Sequence, residues 1–309
     1  MSKRPFPVDP HLTAIAIGFR NGAMIADQVL PRVIVGKSEF KYWKYAPAEQ
    51  LTVPDTRVGR RGRVNEVSFS ATEVTDSTDD FGLEDPIPHS DIDDAPANHD
   101  VKGQATEGIA NLIILDREVR TANVVFNPAT YPAANKEALA GTDQFSDFAN
   151  SDPLGVLSDA LDAPLMRPNI MVIGRPAWSV LARHPQIVKA VHGNSGDAGI
   201  VARRAVADLL ELEDVIVGES RVNTARKGQP ANYQMCWGKH IALIHRDKNA
   251  TNRQGATFGF TAQSGTRQAG SWEDKNIGLY GGQRVRVGES VKEVISAASF
   301  AYFIEDAVA

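Results

Sequence analysis

The chain has 309 residues, 42% hydrophobic and 23% charged, which gives enough apolar material for one large or two smaller cores and excludes wholesale disorder. Its formal net charge of −5 excludes a dedicated nucleic-acid binder, which needs a basic face to release counterions from phosphate, but not a container for nucleic acid. The single cysteine, Cys236, excludes an intramolecular disulfide, and no run approaches the roughly 20 apolar residues of a membrane span.

Charge is unevenly placed. Residues 1–70 carry 11 Lys and Arg against 6 Asp and Glu, whereas residues 71–100 carry 10 carboxylates and no Lys or Arg. A soluble monomer intersperses its charges, so a basic segment beside an acidic band suggests pairing with the same regions of another copy, although a charge run by itself also fits a solvated loop.

In chain order, MSKRPFPVDPHL lacks the apolar stretch of a signal peptide, which predicts a cytosol-like setting. Prolines 5, 7, 10, 31 and 47 punctuate residues 1–50, which read as an extended arm rather than a compact domain. Phe40, Tyr42, Trp43 and Tyr45 concentrate aromatic area there; these rings pack either on the chain's own core or on a neighbouring subunit. Residues 54–75 predict a hairpin whose turn, Arg60–Arg61, is bracketed by Gly59 and Gly62, with Val67, Phe69 and Ala71 on one face of the return strand. Four arginines, Arg57, Arg60, Arg61 and Arg63, cannot fill a core, so this hairpin is expected to project.

Residues 76–100 read as a loop, because Pro86, Pro88 and Pro96 forbid a regular helix. His89 and His99 stand among its carboxylates, but no spacing matches a calcium loop or a zinc motif. From Asp100 onward the strongest helical signal begins: Ile109, Leu112, Leu115, Val119, Ala122 and Phe126 recur on one helical face, and Asn127–Pro128 ends it. Residues 127–153 are mostly irregular. Asp152–Pro153 predicts a helix start. Strand 169–174, helices 176–184 and 198–212, and strand 214–218 then read as a compact α/β domain. Residues 234–246 predict another strand, carrying Cys236 as a buried structural thiol. After a polar stretch, residues 283–306 read as long β structure. Common catalytic and phosphate-binding motifs are missing, and His240 and His245 fall on opposite strand faces, so no catalytic, cofactor or metal residue is nominated.

This order of parts, together with the segments ADQVLPRV, FKYWKY, PDTRVGRRGRVNEV, LDREVRTANVVFNPATYPAANK, LMRPNIMVIG, NTARKGQ and GGQRVRVGESVKE, resembles the major capsid proteins of tailed bacteriophages, which have the Hong Kong 97-type fold. The resemblance implies an α+β chain: an N-terminal arm (1–50), an extended hairpin loop with an acidic connector (51–99), a peripheral domain with a spine helix (100–153), an axial domain (154–280) and C-terminal strands returning to the peripheral domain (281–309). It implies self-assembly as pentamers and hexamers into an icosahedral shell around double-stranded DNA held without sequence-specific contacts. Scaffold and portal proteins are the further partners, with decoration proteins left open. No cofactor, membrane or enzymatic activity is implied. Assembly would take place in the bacterial host cytoplasm, and the product would be the virion capsid.

Inter-subunit contacts are then expected at Phe40, Tyr42, Trp43, Tyr45, Arg57, Arg60, Arg61 and Arg63, and at Asp76, Asp79, Asp80, Glu84 and Asp85. Some relatives cross-link through a lysine on the extended loop, but residues 51–101 contain no lysine. Only 25 residues precede ADQVLPRV, so a fused scaffold is not expected. The alternatives are a cellular nanocompartment shell of the same fold and a metal-dependent enzyme using the carboxylates of 76–100.

Overall fold

The computed structural model describes residues 6–19, 21–45, 53–66, 71–96, 99–193, 198–252 and 254–309. The arm is not wholly extended. Helix α1 (Pro10–Gly18) starts at Asp9, whose carboxylate accepts from the His11 and Leu12 amides, with proline preset for the first turn. Asp9–Pro10 is the same Asp–Pro cap signal as Asp152–Pro153. A four-residue helix, α2 (Ala26–Val29), leads into strands β1 (Arg32–Val35) and β2 (Glu39–Tyr45).

The expected hairpin over 54–75 takes another form. Strand β3 (Ala71–Ser77) pairs antiparallel with β2, from Glu39↔Ser77 to Tyr45↔Ala71. Residues 53–66 form no strand and make a closed loop between those two partners. Val67 and Phe69 lie outside the described residues.

The expected loop over 76–100 is also corrected. Strand β4 (Asp79–Pro88) occupies much of it and runs antiparallel to the C-terminal region, followed by the short helix α3 (His89–Asp93). Pro86 and Pro88 do forbid a helix. They are compatible with β4 because it is the edge of its sheet, where a missing N–H on the outer side removes no ladder bond.

The long helix α4 spans Val101–Val125, with Asp100 accepting from the Gly103 amide at 2.9 Å. Its buried face differs from the expected one. Thr106, Ile109, Ala110, Ile113, Arg117, Glu118, Thr121, Ala122 and Val125 are buried, while Leu112 is 52% exposed. Two charged residues within the buried stripe turn the helix away from its most apolar row.

After strand β5 (Lys136–Ala138), Asp152 caps helix α5 (Pro153–Asp162) as expected, accepting from the Gly155 amide at 3.0 Å. Strand β6 (Ile170–Gly174) and helices α6 (Arg175–Leu181), α7 (Pro185–His192) and α8 (Arg203–Leu209) lead to β7 (Asp214–Gly218). The small hairpin of β8 (Arg221–Asn223) and β9 (Tyr233–Met235) precedes β10 (Ile241–Ile244). The strand expected over 234–246 is therefore broken by a turn in which Gly238 has φ +52°. Cys236 lies in that turn, half-buried, and burial pushes its thiol pKa up, away from thiolate chemistry. The turn presses on β6: a Cβ at Gly174 would sit 2.0 Å from the Gly238 carbonyl oxygen.

The polar stretch expected after 246 contains the longest strand, β11 (Gly259–Asp274), which pairs antiparallel with β12 (Gly282–Ile295) before β13 (Ala301–Glu305). Two main sheets result. One has the order β1-β11-β12-β4, with β1 parallel to β11; the other has the order β5-β13-β10-β6-β7. Thus β11, expected with the compact domain, joins β12 and β4, while β13, expected to return toward the spine helix, joins β10 in the five-stranded sheet. The largest apolar cluster lies around that sheet, including Leu157, Met171, Leu181, Val206, Leu243 and Ile304. A second cluster joins α2 and α4 to it through Leu30, Val125, Trp237, Phe258 and Phe303.

His184 is buried at the start of α7, where its Nδ1 accepts from the Gln186 amide at 3.3 Å. Burial holds its pKa below the ordinary value of about 6.5, against the opposing charge of Asp152. The unfolded chain therefore binds a proton before the folded chain does. The contribution of this residue is complete above about pH 6.5 and is lost as the pH falls through the folded value. His184→Asn keeps a capping acceptor without the titration, so its thermal midpoint should decline less between pH 7 and pH 5 than that of the wild type. Equal declines would contradict this assignment.

Candidate functional site

Helix α2 is too short to satisfy its own backbone, and charged side chains complete it at both ends. Glu118, fully buried on α4, accepts from the Ile25 amide at 2.9 Å and the Ala26 amide at 2.8 Å. The same carboxylate accepts from Trp237 Nε1 at 2.5 Å and Ser220 Oγ at 3.2 Å, both on the side of the five-stranded sheet. At the other end, Gln28 O accepts from Arg246, and Leu30 O accepts from Arg117 Nη2 at 3.3 Å and Thr261 Oγ1 at 3.2 Å. Carboxylate at the N-terminus and guanidinium at the C-terminus also match the helix dipole.

A charge network extends from this point. Asp27 bridges Arg117 and Arg32, and Arg32 and Arg267 converge on the buried Glu289. Arg267 also donates to Ala16 O at 2.9 Å, which holds α1. Burial alone would raise the Glu289 pKa, but the surrounding arginines, Arg32 first, keep it below the usual carboxylate value. Arg120 grips Glu293 at 2.7 Å and lies 3.6 Å above the Phe81 ring, joining α4 to β12 and β4.

The expected contact residues divide between this interior and the surface. Phe40 and Tyr42, two apart on β2, are both buried with Val35, Phe260, Ala262 and Val294. Their nomination as inter-subunit contacts is corrected: strand alternation turns them onto the chain's own sheet. Trp43 faces the other way and is exposed. Tyr45 ends the β2 ladder opposite Ala71, and its side chain lies outside the described residues.

All of residues 53–66 are exposed. The loop is closed by Gly62 N donating to Gly59 O at 2.9 Å and Asn65 Nδ2 donating to Asp55 O at 2.6 Å. Arg57, Arg60, Arg61 and Arg63 have no ion-pair partner among the described residues. The acidic band is partly neutralised within the chain. Asp79 meets Lys292 at 3.0 Å, Asp80 accepts from Ser290 Oγ, and Glu84 pairs with Arg284 and Arg286. Asp76 accepts from the Ser77 amide and lies in the field of Lys292, and Asp85 has no ion-pair partner among the described residues. Sequence reasoning missed Arg284, Arg286 and Lys292 as partners because it read 76–100 as a loop without a ladder.

The one buried serine–histidine contact described does not resemble an activated nucleophile. Ser151 Oγ donates to Asp147 O at 2.6 Å and lies 3.1 Å from His184 Nε2. Because Nδ1 accepts from a backbone amide, the ring proton sits on Nε2, the reverse of a general base facing serine. Among the described residues, no group of three His, Cys, Asp or Glu side chains is placed to hold a metal ion, and no helix is long and apolar enough to cross a membrane.

No family model matches the chain. It is 57% identical over 309 residues to the major capsid protein of Pseudomonas phage JBD67, covering 100% of both chains. This chain belongs to the phage major capsid proteins. Its similarity to the major capsid protein of Burkholderia phage BcepMu is 30% identity over 244 residues, covering 77% of this chain and 76% of that one. A crystal structure of a phage-related protein from Bordetella bronchiseptica superposes with a TM-score of 0.76 at 22% identity, covering 98% of this chain and 99% of that one. The fold is the α+β Hong Kong 97-type capsid fold, and the phage relatives favour a virion shell subunit over a cellular nanocompartment.

For this capsid protein the Glu118 cluster is structural. Glu118→Ala leaves two amides, an indole N–H and a hydroxyl without their buried acceptor. It should destabilise the unassembled subunit by about 3–5 kcal/mol in urea titration. A loss below about 1 kcal/mol, the size of one ordinary net hydrogen bond, would contradict the hub.

Proposed function

We propose that the chain assembles as pentamers and hexamers into an icosahedral shell enclosing double-stranded DNA, with the 53–66 loop reaching a neighbouring subunit. The observation that carries this reading is the loop itself. It presents four arginines with no ion-pair partner among the described residues and exposed valines at positions 53, 58 and 64. A shell repeats one contact many times, so a modest charged contact suffices at each copy.

On this reading, α4 and the β1-β11-β12-β4 sheet form the peripheral domain, and the five-stranded sheet with α5–α8 forms the axial domain. Trp43, Asp76 and Asp85 are candidate contacts alongside the arginines. The net negative charge suits a wall beside DNA that does not grip it. Scaffold and portal proteins complete the proposed assembly, which takes place in the host cytoplasm, and the subunit's role is structural rather than enzymatic.

Arg60→Glu with Arg61→Glu should abolish or strongly reduce shell formation in velocity sedimentation while leaving the circular dichroism of the subunit unchanged. Normal shells from this double variant would remove the loop from the contact. Because residues 51–101 lack lysine, mature shells boiled in detergent should migrate as monomer. A ladder of covalent oligomers would refute the absence of loop-lysine cross-linking.

A further inference from the structure

Between β7 and the end of β10 the chain carries charge of one sign. Residues 220–246 contain no Asp or Glu and five Lys and Arg. Two of the five are held within the chain: Lys239 lies 3.7 Å from Asp306, and the buried Arg246 donates to Gln28 O on α2. The other three, Arg221, Arg226 and Lys227, stand on the β8–β9 hairpin, all exposed and without an ion-pair partner among the described residues. The acidic residue just before the hairpin, Glu219, is already shared by Arg175 and Arg203, so cations outnumber it before Arg221 is counted.

The hairpin holds these cations in a defined shape. Asn223 Oδ1 accepts from the Ala225 amide at 3.1 Å and the Asn232 amide at 2.9 Å, which closes the connection across its neck. At the tip the Gln229 amide donates to Arg226 O at 3.0 Å, and Gly228 supplies the φ of +87° that the third position of such a turn requires. Arg226 and Lys227 therefore sit side by side in a closed turn. Arg221 and Asn223 lie opposite Met235 and Tyr233, so Arg221 and Tyr233 share one face of the ladder. Tyr233, 67% exposed, is the only large apolar side chain that the hairpin exposes; the rest of its exposed surface is cation, amide, hydroxyl and small residues. A protein-docking patch needs a desolvated apolar centre, as the exposed valines of 53–66 supply. A surface of cations and amides with one ring instead matches a wet, phosphate-rich partner, because Arg, Lys, Asn and Gln side chains all donate to phosphate oxygens.

We propose that the β8–β9 hairpin is a docking point for the phosphate backbone of double-stranded DNA. Arg221, Arg226 and Lys227 neutralise phosphates and release their counterions, without reading base sequence. Naming enclosed DNA as the partner rests on the shell reading; the contact itself belongs to the single subunit. The net charge of −5 keeps each contact weak, and repetition over a shell turns many weak contacts into a set of shallow anchoring points.

The test is fluorescence anisotropy of a short labelled duplex of random sequence, titrated with the full-length subunit over a series of salt concentrations. Three phosphate contacts predict that log K falls against log [salt] with a slope of about −2.7. Arg221→Gln, Arg226→Gln and Lys227→Gln together, at exposed positions outside every core cluster, should leave the circular dichroism unchanged. They should weaken binding at low salt by about tenfold or more and bring the slope close to zero, each single change removing about 0.9 from it. Changing Arg57, Arg60, Arg61 and Arg63 to Gln is the comparison: loss of binding there, with full binding by the hairpin variant, overturns the proposal. Capture of poly-glutamate but not of the duplex through the hairpin assigns it to an acidic protein segment and also overturns the proposal, as does a wild-type subunit that binds no duplex at low salt. Particles that form normally without hairpin-dependent DNA binding remove this contact and leave the shell reading intact. Hairpin-dependent binding by a chain that never forms particles supports the contact and removes the shell reading instead.

Discussion

The structure depends on completing a helix too short to complete itself. Helix α2 has four residues, so nearly all its backbone groups need outside partners, and its first and last residues, Ala26 and Val29, are buried. Glu118 satisfies the first amides; Arg246, Arg117 and Thr261 satisfy the last carbonyls. These four side chains come from α4, the end of β10 and β11. Satisfying α2 therefore fixes the arm, the long helix and both main sheets relative to one another. Glu118 also holds Trp237 and Ser220, which makes it the meeting point of the two halves of the fold.

A buried charge is costly unless paired, and around α4 the buried arginines and carboxylates share partners. Asp27, Glu289 and Glu293 collect Arg32, Arg117, Arg120 and Arg267. The surface follows a different rule. The arginines of 53–66 and the carboxylates Asp85 and Asp91 have no counter-charge in the chain among the described residues. A subunit whose buried charges are largely held within the chain, and whose exterior patches of opposite sign are not, keeps its shape alone and gains contacts in company. Such a division suits a wall built from identical pieces, in which each contact is modest and the repetition makes it durable.

Much of this was legible in the sequence, and the losses have physical causes. The Asp152–Pro153 cap, strands β6 and β7 and the existence of α4 follow from local signals that tertiary structure reinforces. The face of α4 was misjudged because hydrophobicity favours Leu112 and Leu115, while the residues buried instead include Arg117 and Glu118. Nothing local reveals that their partners lie near positions 25, 27, 237 and 261. Strand β4 was hidden by its prolines, which an edge tolerates, and β11 by its Gly, Ser and Gln content, because its packing is supplied by β12, α1 and the Phe6–Pro7 strap. Phe40 and Tyr42 were read as able to pack either way, and only the register of β2 against β3 and the core beneath decides for the chain's own sheet. The exposed arginine loop was legible because isolated charge at a glycine-bracketed turn has no place in a core.

If this chain is the repeating unit of a closed shell, electron microscopy of the purified protein should show closed particles tens of nanometres across, or rings with five-fold and six-fold symmetry in classified images. Isolated monodisperse subunits at every concentration and salt, in the presence of the phage's other head proteins, would contradict it.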